Sequence, residues 1–237
     1  MASRDVFGAA IQAHAKSGDE GKIIVENNVG DGYEIPLNYL FREFSEMPEI
    51  EKKALSECSG SVLEVGAGAG AHASCLKKMG KDIELIDTSE GAVKHLVDEG
   101  YNAHCVNYFD FQSHQKFDTI LMMMNGIGIV EKVERFEEFF KKAKTLLTEN
   151  GQIICDSADL SYLYEDENGE IWIDLNANYY GEVEFKMSFK DNETDWFPWL
   201  FVDFQTLEYY ASENGFTCEC LMTDENSQFL ARLTQMK

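Results

Sequence analysis

The sequence predicts an α/β protein built on a mostly parallel sheet. Between residues 61 and 156, short apolar segments alternate with amphipathic ones, a rhythm typical of parallel strands joined by right-handed helical crossovers. Near the end of the chain, strand-like segments at 217–222 and 229–234 follow one another and predict a closing antiparallel hairpin. These two observations set the fold class.

The chain begins with a mixed segment over residues 1–60, which we interpret as a helical cap in front of a main domain at 61–237. Apolar periodicity predicts a helix over 6–15, a strand follows at Lys22–Asn27, and 37–44 predicts one or two further helical turns. The pattern of this segment alone assigns no chemistry to it.

Five parallel strands and their helices are predicted in the main domain, with glycines as helix stops. The helix over 133–148 has the clearest signature, because Phe136, Phe139 and Phe140 recur at three- and four-residue steps. The segment at 117–124 is apolar enough to suit a strand that is buried on both faces. The predicted strands cover Ser61–Val65, 83–86, 103–106, 117–124 and 152–155, and the predicted helices cover 71–79, 90–99, 133–148 and Phe204–Glu213.

An insert at about 160–202 interrupts this rhythm after the fifth parallel strand. We expect a strand at 171–175 and an antiparallel hairpin made of Glu182–Phe189 and a returning strand at 199–202. The insert is rich in aromatic residues, which fit a hydrophobic lid over a substrate cleft, an ordinary hairpin core, or a contact in a homodimer. These aromatic residues are Tyr179, Tyr180, Trp196, Phe197 and Trp199.

Composition narrows the choice of partners. The chain carries 43 acidic and 20 basic residues, a formal net charge of −23, and such a surface repels nucleic acid and anionic membranes. No signal peptide or apolar run of about 18 residues is present. The six scattered cysteines fit reduced thiols without a metal site. A cytoplasmic protein that binds a small molecule is the resulting expectation.

The segment 62–70 is the strongest functional signal. Gly66 and Gly68 follow a strand directly and, with Ala71, match the GxGxxG/A pattern of nucleotide-binding turns. Glycines at these places let the backbone turn tightly and approach a ligand, and the turn feeds a helix N-terminus that favours polar groups.

Asp87 lies at the end of the next strand, 21 residues beyond Gly66. A carboxylate at that place accepts hydrogen bonds from the ribose hydroxyls of an adenosine. The alternative for Asp87 is a helix cap beside Thr88 and Ser89. The glycine turn upstream favours the ribose interpretation.

These residues resemble the class I S-adenosylmethionine-dependent methyltransferases. The resemblance rests on Glu64, the three alternating glycines ending at Gly70, Asp87 and the Phe117-Asp118 pair; it covers about 61–156, and the last thirty residues by topology. It implies a doubly wound, seven-stranded Rossmann-like sheet and a small-molecule methyltransferase acting by in-line transfer, with S-adenosylmethionine as cofactor.

The resemblance also implies roles for individual residues. Gly66 and Gly68 would approach the methionine moiety, Asp87 would hold the ribose, and Glu64 would reach the cofactor's amino group, directly or through water. The expected set is completed by the neighbouring residues of the two turns. These are Ala67, Gly70 and Thr88. Asn107, Tyr108 and Asn125, which follow the third and fourth strands, also belong to the expected cofactor-binding set.

One position departs from the family pattern, which often has an acidic residue after the third strand to accept from the adenine amino group. Here Asn107 takes that place, with Asp110 three residues on, and either side chain offers an acceptor. Tyr108 and Phe109 fit packing against the adenine or ordinary core packing.

Two candidates stand near the transferred methyl group. Asn125 follows the fourth parallel strand and either orients the substrate or caps a turn. Asp156 follows the fifth and is either a catalytic base or a solvated loop carboxylate. His72, like the other histidines, lacks a partner in sequence and is expected on the surface or in packing.

Two other functions share part of this pattern. An NAD(P)-dependent oxidoreductase would use the same glycine turn and Asp87, but the closing hairpin, Glu64 and the lack of a Tyr-x-x-x-Lys pair after the fifth strand disfavour it. A non-catalytic subunit that binds an adenosyl ligand would keep the cofactor residues and lack a usable acceptor cleft.

Overall fold

Seven strands form the main sheet of the computed structural model, which describes residues 5–174 and 177–237. The strands along the chain are β1 (Lys22–Asn27), β2 (Tyr33–Pro36), β3 (Ser61–Val65), β4 (Asp82–Asp87), β5 (Ala103–Cys105), β6 (Phe117–Met122), β7 (Leu147–Ala158), β8 (Glu182–Phe189), β9 (Asn192–Glu193), β10 (Phe197–Leu200), β11 (Phe216–Thr223) and β12 (Gln228–Gln235). The main sheet has the order β11-β12-β7-β6-β3-β4-β5.

The strands β3 to β7 pair in parallel, and β12 lies antiparallel between β7 and β11. This confirms the predicted mostly parallel sheet and its closing antiparallel hairpin. The order reverses at β3, where β4 lies on one side and β6 on the other. Ligands bind at such a switch point, at the carboxyl ends of the strands.

Helices cover both faces of the main sheet. They are α1 (Val6–Ser17), α2 (Leu37–Leu40), α3 (Glu49–Glu57), α4 (Ala71–Lys78), α5 (Glu90–Asp98), α6 (Phe136–Leu146) and α7 (Phe204–Glu213). Neighbouring residues of β3 point to opposite faces, so Leu63 packs in a core with α6 and α7, whereas Val62 packs in a core with α3 and α4. The doubly wound arrangement is confirmed.

The helix α6 is shorter than its apolar periodicity predicts. Phe136, Phe139 and Phe140 are fully buried, as the pattern requires. The preceding residues Val133–Arg135 form a separate 3₁₀ turn, and the chain passes from Leu146 directly into β7. The predicted helix over 133–148 therefore included the first residues of a strand that is longer than expected.

A second sheet joins the insert to the N-terminal segment. Its order is β10-β8-β1-β2, with β9 also on β8, and Val25 of β1 is paired with Met187 of β8. β8 and β10 are antiparallel neighbours, but they belong to this larger sheet instead of forming a hairpin of their own. Ile171 of the expected strand at 171–175 makes an isolated bridge, and Leu175 lies outside the described residues.

The helix α1 connects the second sheet to the cofactor side of the main sheet. Val6 and Ile11 are buried in a core shared with β1 and β8. On its other side α1 packs closely on α5, since a Cβ added to Gly91 would lie 2.6 Å from the Gly8 Cα. Among the residues described, no helix has the length and apolar character needed to cross a bilayer.

Candidate active site

The glycine turn lies between β3 and α4 and has the geometry that its sequence predicts. Gly66, Gly68 and Gly70 have φ angles of 75°, 54° and 83°, a left-handed region that strongly favours glycine. The Gly66 amide donates to the Ile86 carbonyl at 2.9 Å, which ties the turn to β4. A Cβ at Gly66 would meet no atom within 4 Å, so this part of the turn borders open space.

Asp87 faces the glycine turn from the end of β4. Its two carboxylate oxygens accept the amides of Gly68, at 2.9 Å, and Ser89, at 2.8 Å. Burial raises the pKa of Asp87 above its usual value, and the two backbone donors oppose that shift. The structure thus brings Asp87 and the turn together as predicted, with Thr88 exposed beside them.

Glu64 is buried at the end of β3, with 2% of its surface exposed. Its Oε1 lies 3.3 Å from Nδ1 of His72, and its Oε2 has no hydrogen-bond partner in the described part of the chain. A buried carboxylate oxygen without a donor is costly, by about 1–3 kcal/mol or more. Such an oxygen is therefore suited to a donor that a ligand or a bound water supplies.

His72 belongs to a buried chain of alternating charges that sequence reasoning missed. Its Nε2 lies 3.0 Å from Oε2 of Glu51 on α3, and Glu51 in turn accepts two guanidinium nitrogens of Arg42. The Arg42 guanidinium also donates to the Tyr39 carbonyl and lies 4.1 Å from the centre of the Tyr39 ring. The cap segment is therefore bound to the cofactor side through ionic contacts.

His72 is buried, so the surface role that was one of its two predicted roles is wrong. Burial alone would lower the pKa of His72, but the hydrogen bonds to Glu51 and Glu64 outweigh it and raise that pKa to about 9. His72 is therefore an imidazolium at neutral pH, held between two carboxylates. The same contacts, with those of Arg42, lower the pKa of Glu51 in spite of its burial.

The segment after β5 divides between the core and the surface. Tyr108 is 3% exposed, its hydroxyl donates to the Phe139 carbonyl at 3.3 Å, and its ring packs on that of Phe139. The Tyr108 ring thus takes part in core packing, and its contact with adenine stays a prediction. Asn107 is exposed and accepts the Phe109 amide through Oδ1. Asp110 is exposed as well.

Asn125 and Asp156 meet at the carboxyl ends of β6 and β7. Oδ1 of Asp156 accepts the Asn125 amide at 2.9 Å, and Oδ2 accepts Nε2 of Gln228 at 2.7 Å. Asn125 has a φ of 56°, which an asparagine adopts more readily than most residues. Its Nδ2 donates to the Leu200 carbonyl, and its buried Oδ1 is unpartnered among the described residues.

The interpretation of Asp156 as a solvated loop carboxylate is wrong. Asp156 lies within β7 and is 1% exposed, and its two carboxylate oxygens are engaged by the Asn125 amide and the Gln228 side chain. Burial raises the pKa of Asp156 to about 6, although the donors from Asn125 and Gln228 oppose the shift. Asp156 is thus an anchor beneath the turn at Asn125.

A cavity of about 690 Å³ is lined by residues of α7, β11, β12 and the insert, and Asn125 does not belong to this lining. Gln228, the partner of Asp156, is part of its lining, together with Tyr180 and Asp203. Tyr180 donates to Asp159, and Tyr179 donates to Asp203 at 2.6 Å, so these side chains are fixed. The volume is in the usual range for small-molecule sites.

The aromatic residues of the insert separate into two groups. Trp199 is half-buried and donates through Nε1 to the Asn125 carbonyl at 3.1 Å, which places it against the turn at Asn125. Trp196 is 48% exposed. A homodimer contact through this exposed group stays a prediction.

The fold and the site define a class. An alternating-glycine turn faces a carboxylate at the switch point of a seven-stranded sheet that closes with an antiparallel hairpin, and this combination is that of the S-adenosylmethionine-dependent methyltransferases. The chain belongs to the methyltransferase-domain family, whose sequence pattern matches residues 38–221. It is a methyltransferase that uses S-adenosylmethionine, which sets the oxidoreductase alternative aside.

Comparisons with known proteins agree with this assignment. A crystal structure of an S-adenosylmethionine-dependent methyltransferase from Bacteroides fragilis, in complex with S-adenosyl-L-homocysteine, has a TM-score of 0.92 and 42% identity, and the match covers 100% of this chain and 97% of that one. An uncharacterised methyltransferase of Staphylococcus carnosus is 26% identical over 159 residues, 66% of this chain and 72% of the relative. The CcbJ methyltransferase of Streptomyces caelestis shares the fold, with 13% identity, a TM-score of 0.59, and coverage of 82% and 95%.

Proposed function

We propose that this methyltransferase acts on a small-molecule acceptor held beside Asn125. The observation that carries the proposal is the enclosure of that edge, where Asn125 bonds to Leu200 and Trp199 of β10. A covered edge suits a small ligand better than a macromolecule, and a cavity of about 690 Å³ is lined by Gln228, the partner of Asp156. The net charge of −23 further disfavours nucleic acid.

The residues of the glycine side fit the cofactor. The open face of Gly66 and the unpartnered Oε2 of Glu64 are the two features that support this fit. We propose that Glu64 receives the amino group, directly or through water, that Asp87 holds the ribose, and that Asn107 accepts from the adenine. The remaining contacts are proposed for the backbone of the turns, at Gly66, Ala67, Gly68, Gly70 and Thr88.

For methyl transfer, the main task of the protein is to align the methyl group with the acceptor atom. S-adenosylmethionine, when bound, supplies a methyl group already activated by its sulfonium, and positioning can contribute about 7–11 kcal/mol to such a reaction. We propose that the unpartnered Oδ1 of Asn125 accepts an N–H or O–H of the methyl acceptor. Asp156 has the supporting role, since it fixes the backbone of Asn125 and is itself enclosed.

The proposal is tested by determining which fraction of a cell extract contains the methyl acceptor. Purified protein and S-adenosylmethionine are incubated with a cell extract divided by ultrafiltration into a small-molecule and a macromolecular fraction, and S-adenosyl-L-homocysteine is quantified by mass spectrometry. We expect product with the small-molecule fraction alone. Product with only the macromolecular fraction would contradict the proposal, and no product with either would favour the binding-subunit alternative. The Asp87→Ala variant serves as the control for turnover at this site.

The cysteines support a reducing, cytoplasmic setting. All six are free thiols, including the buried Cys58, Cys75 and Cys155. Disulfides are rare in that compartment, and free buried thiols there act as small apolar side chains. The proposed location follows from this pattern.

A further inference from the structure

His72 connects three consecutive elements of the chain. It belongs to the first turn of α4, whereas Glu51 comes from α3 and Glu64 from β3. Both ring nitrogens face carboxylate oxygens, Nε2 at 3.0 Å and Nδ1 at 3.3 Å. A neutral imidazole has a single N–H, so only the imidazolium can donate to both.

This geometry determines which oxygen of Glu64 is left over. Oε1 is engaged by His72, and Oε2 has no partner among the described residues. Arg42 holds Glu51 from the far side with an N–O distance of 2.6 Å, so the chain of contacts cannot easily rotate. The carboxylate of Glu64 is consequently fixed in one orientation before any ligand arrives.

We propose that His72 is a positioning residue for the cofactor: its imidazolium holds Glu64 by Oε1, so that Oε2 is kept for the amino group of S-adenosylmethionine or for a water that bridges to it. The inference rests on the proposed role of Glu64. It adds a residue that does not itself touch the cofactor.

Loss of the imidazolium has a defined electrostatic consequence. Arg42 and His72 carry the positive charges of the cluster, and Glu51, Glu64 and the nearby Asp156 carry the negative ones. Without His72, Glu51 and Glu64 would face each other as like charges, which favours protonation of one of them. A protonated or rotated Glu64 attracts an ammonium group less, whereas the adenosine end of the cofactor is held elsewhere.

The test compares two ligands that differ in the amino-acid part. S-adenosyl-L-homocysteine carries the amino group, and 5′-methylthioadenosine keeps the adenosine and the sulfur but lacks it. By calorimetry, we expect His72→Gln to raise the Kd of S-adenosyl-L-homocysteine by about tenfold or more, the effect of a lost hydrogen bond to a charged group. The Kd of 5′-methylthioadenosine should stay within about twofold. His104→Gln is the matched control, because His104 pairs with Glu84 on an exposed edge.

If His72→Gln weakened the binding of both ligands equally, or of neither, the positioning role of His72 would be overturned. The Glu64→Gln variant separates this inference from the proposal beneath it. If Glu64→Gln weakened the binding of S-adenosyl-L-homocysteine alone, while His72→Gln bound both ligands normally, the role of Glu64 would be retained and that of His72 rejected. Normal binding of both ligands in Glu64→Gln would reject the role of Glu64, and with it the inference.

A measurement on the unmodified protein covers the case in which His72→Gln does not fold. Nitrogen NMR of the ¹⁵N-histidine-labelled chain should show both ring nitrogens of His72 protonated at neutral pH. Their shifts should move when S-adenosyl-L-homocysteine binds and stay in place with 5′-methylthioadenosine. A neutral tautomer, or equal shifts with the two ligands, would contradict the proposal.

Discussion

The two ends of the cleft are built in different ways. At the cofactor end, the central hydrogen bond joins Gly68 and Asp87, 19 residues apart and on consecutive strand–turn units. At the proposed acceptor end, the bonds join Asn125 to Leu200 and Asp156 to Gln228, 75 and 72 residues apart. One end is thus assembled from neighbouring units of the chain, and the other depends on the docking of the insert and the last strands.

This difference teaches how one fold serves different acceptors. The cofactor end needs a fixed backbone, because the turn at Gly66, Gly68 and Gly70 uses left-handed angles. At the proposed acceptor end, side chains of β10 and of the hairpin of β11 and β12 can change without disturbing the turn. If this is correct, substitutions at one end should leave the function of the other end intact.

The largest expected effect is at Asp87. Asp87→Ala removes the proposed ribose ligand and the acceptor for the Gly68 amide, so we expect the Kd of S-adenosyl-L-homocysteine to rise more than about tenfold, or by about 1.5 kcal/mol or more. Calorimetry measures this directly. Asp82→Ala, at an exposed carboxylate at the opposite end of β4, is the control and should bind normally. Unchanged binding in Asp87→Ala would remove the ribose interpretation.

Gly128→Ala should impair turnover of the acceptor without impairing cofactor binding. A Cβ at Gly128 would lie 2.0 Å from Nε1 of Trp199, so the indole must move and release the Asn125 carbonyl. We expect kcat/KM for the acceptor identified by the extract screen to fall about tenfold, since small displacements of reacting groups are costly.

The Kd of S-adenosyl-L-homocysteine should stay within about twofold in Gly128→Ala. Gly30→Ala, where the nearest atom to the new Cβ is 3.8 Å away, is the matched control. A combined loss of cofactor binding and turnover in Gly128→Ala would show that the two ends are coupled.

The same difference explains what the sequence could predict. The strands, the glycine turn and Asp87 follow from local signals, and the structure agrees with them. The pairing of β1 with β8 has no local signal, because polar and apolar residues alternate similarly in many strands. Neither does the contact of His72 with Glu51, although Glu51 shares a helix stripe with Ala54 and Leu55 and thereby falls on a buried face.

Asp156 shows how a local signal can be misinterpreted. The preceding apolar residues Ile153, Ile154 and Cys155 belong to the buried strand, which continues through Asp156, and the partners of its carboxylate come from Asn125 and from Gln228 of the paired strand β12. A sequence does not reveal how far a neighbouring strand reaches. Burial, and with it the raised pKa, is therefore a property of the assembled sheet.

A pH profile tests the anchor role of Asp156. The ionised carboxylate accepts both the Asn125 amide and Gln228, and its pKa in the fold is about 6, so turnover should decline as the pH falls through 6, by about tenfold at pH 5. Asp156→Asn should lack this acidic limb. A limb of the same shape in Asp156→Asn would assign it to another group.

The pH dependence of the stability that Asp156 contributes is opposite in sign to the pH dependence of turnover. The folded pKa of Asp156 lies above the ordinary value of 3.8, so the fold favours the protonated form. Its contribution to the free energy of unfolding is complete below about pH 3.8 and is lost as the pH rises through about 6. Relative to Asp156→Asn, the unmodified protein should therefore be most stable in acid, which urea unfolding at several pH values measures.

The smallest effect is expected where α1 covers the glycine turn. The Phe7 ring lies 3.4 Å from the place where a Cβ of Gly68 would stand, and the helix is held there by the bond of Asp5 to the Gly91 amide. Phe7→Ala removes part of this cover and no polar contact, so we expect S-adenosyl-L-homocysteine to dissociate about two- to fivefold faster in stopped-flow experiments, about 0.4–1 kcal/mol. Phe44→Ala, at an exposed phenylalanine, is the control. Because the cover belongs to the cofactor end, the KM for the acceptor should not change in Phe7→Ala. A changed KM would mean that α1 and the second sheet, which share a core, transmit movement from one end of the cleft to the other.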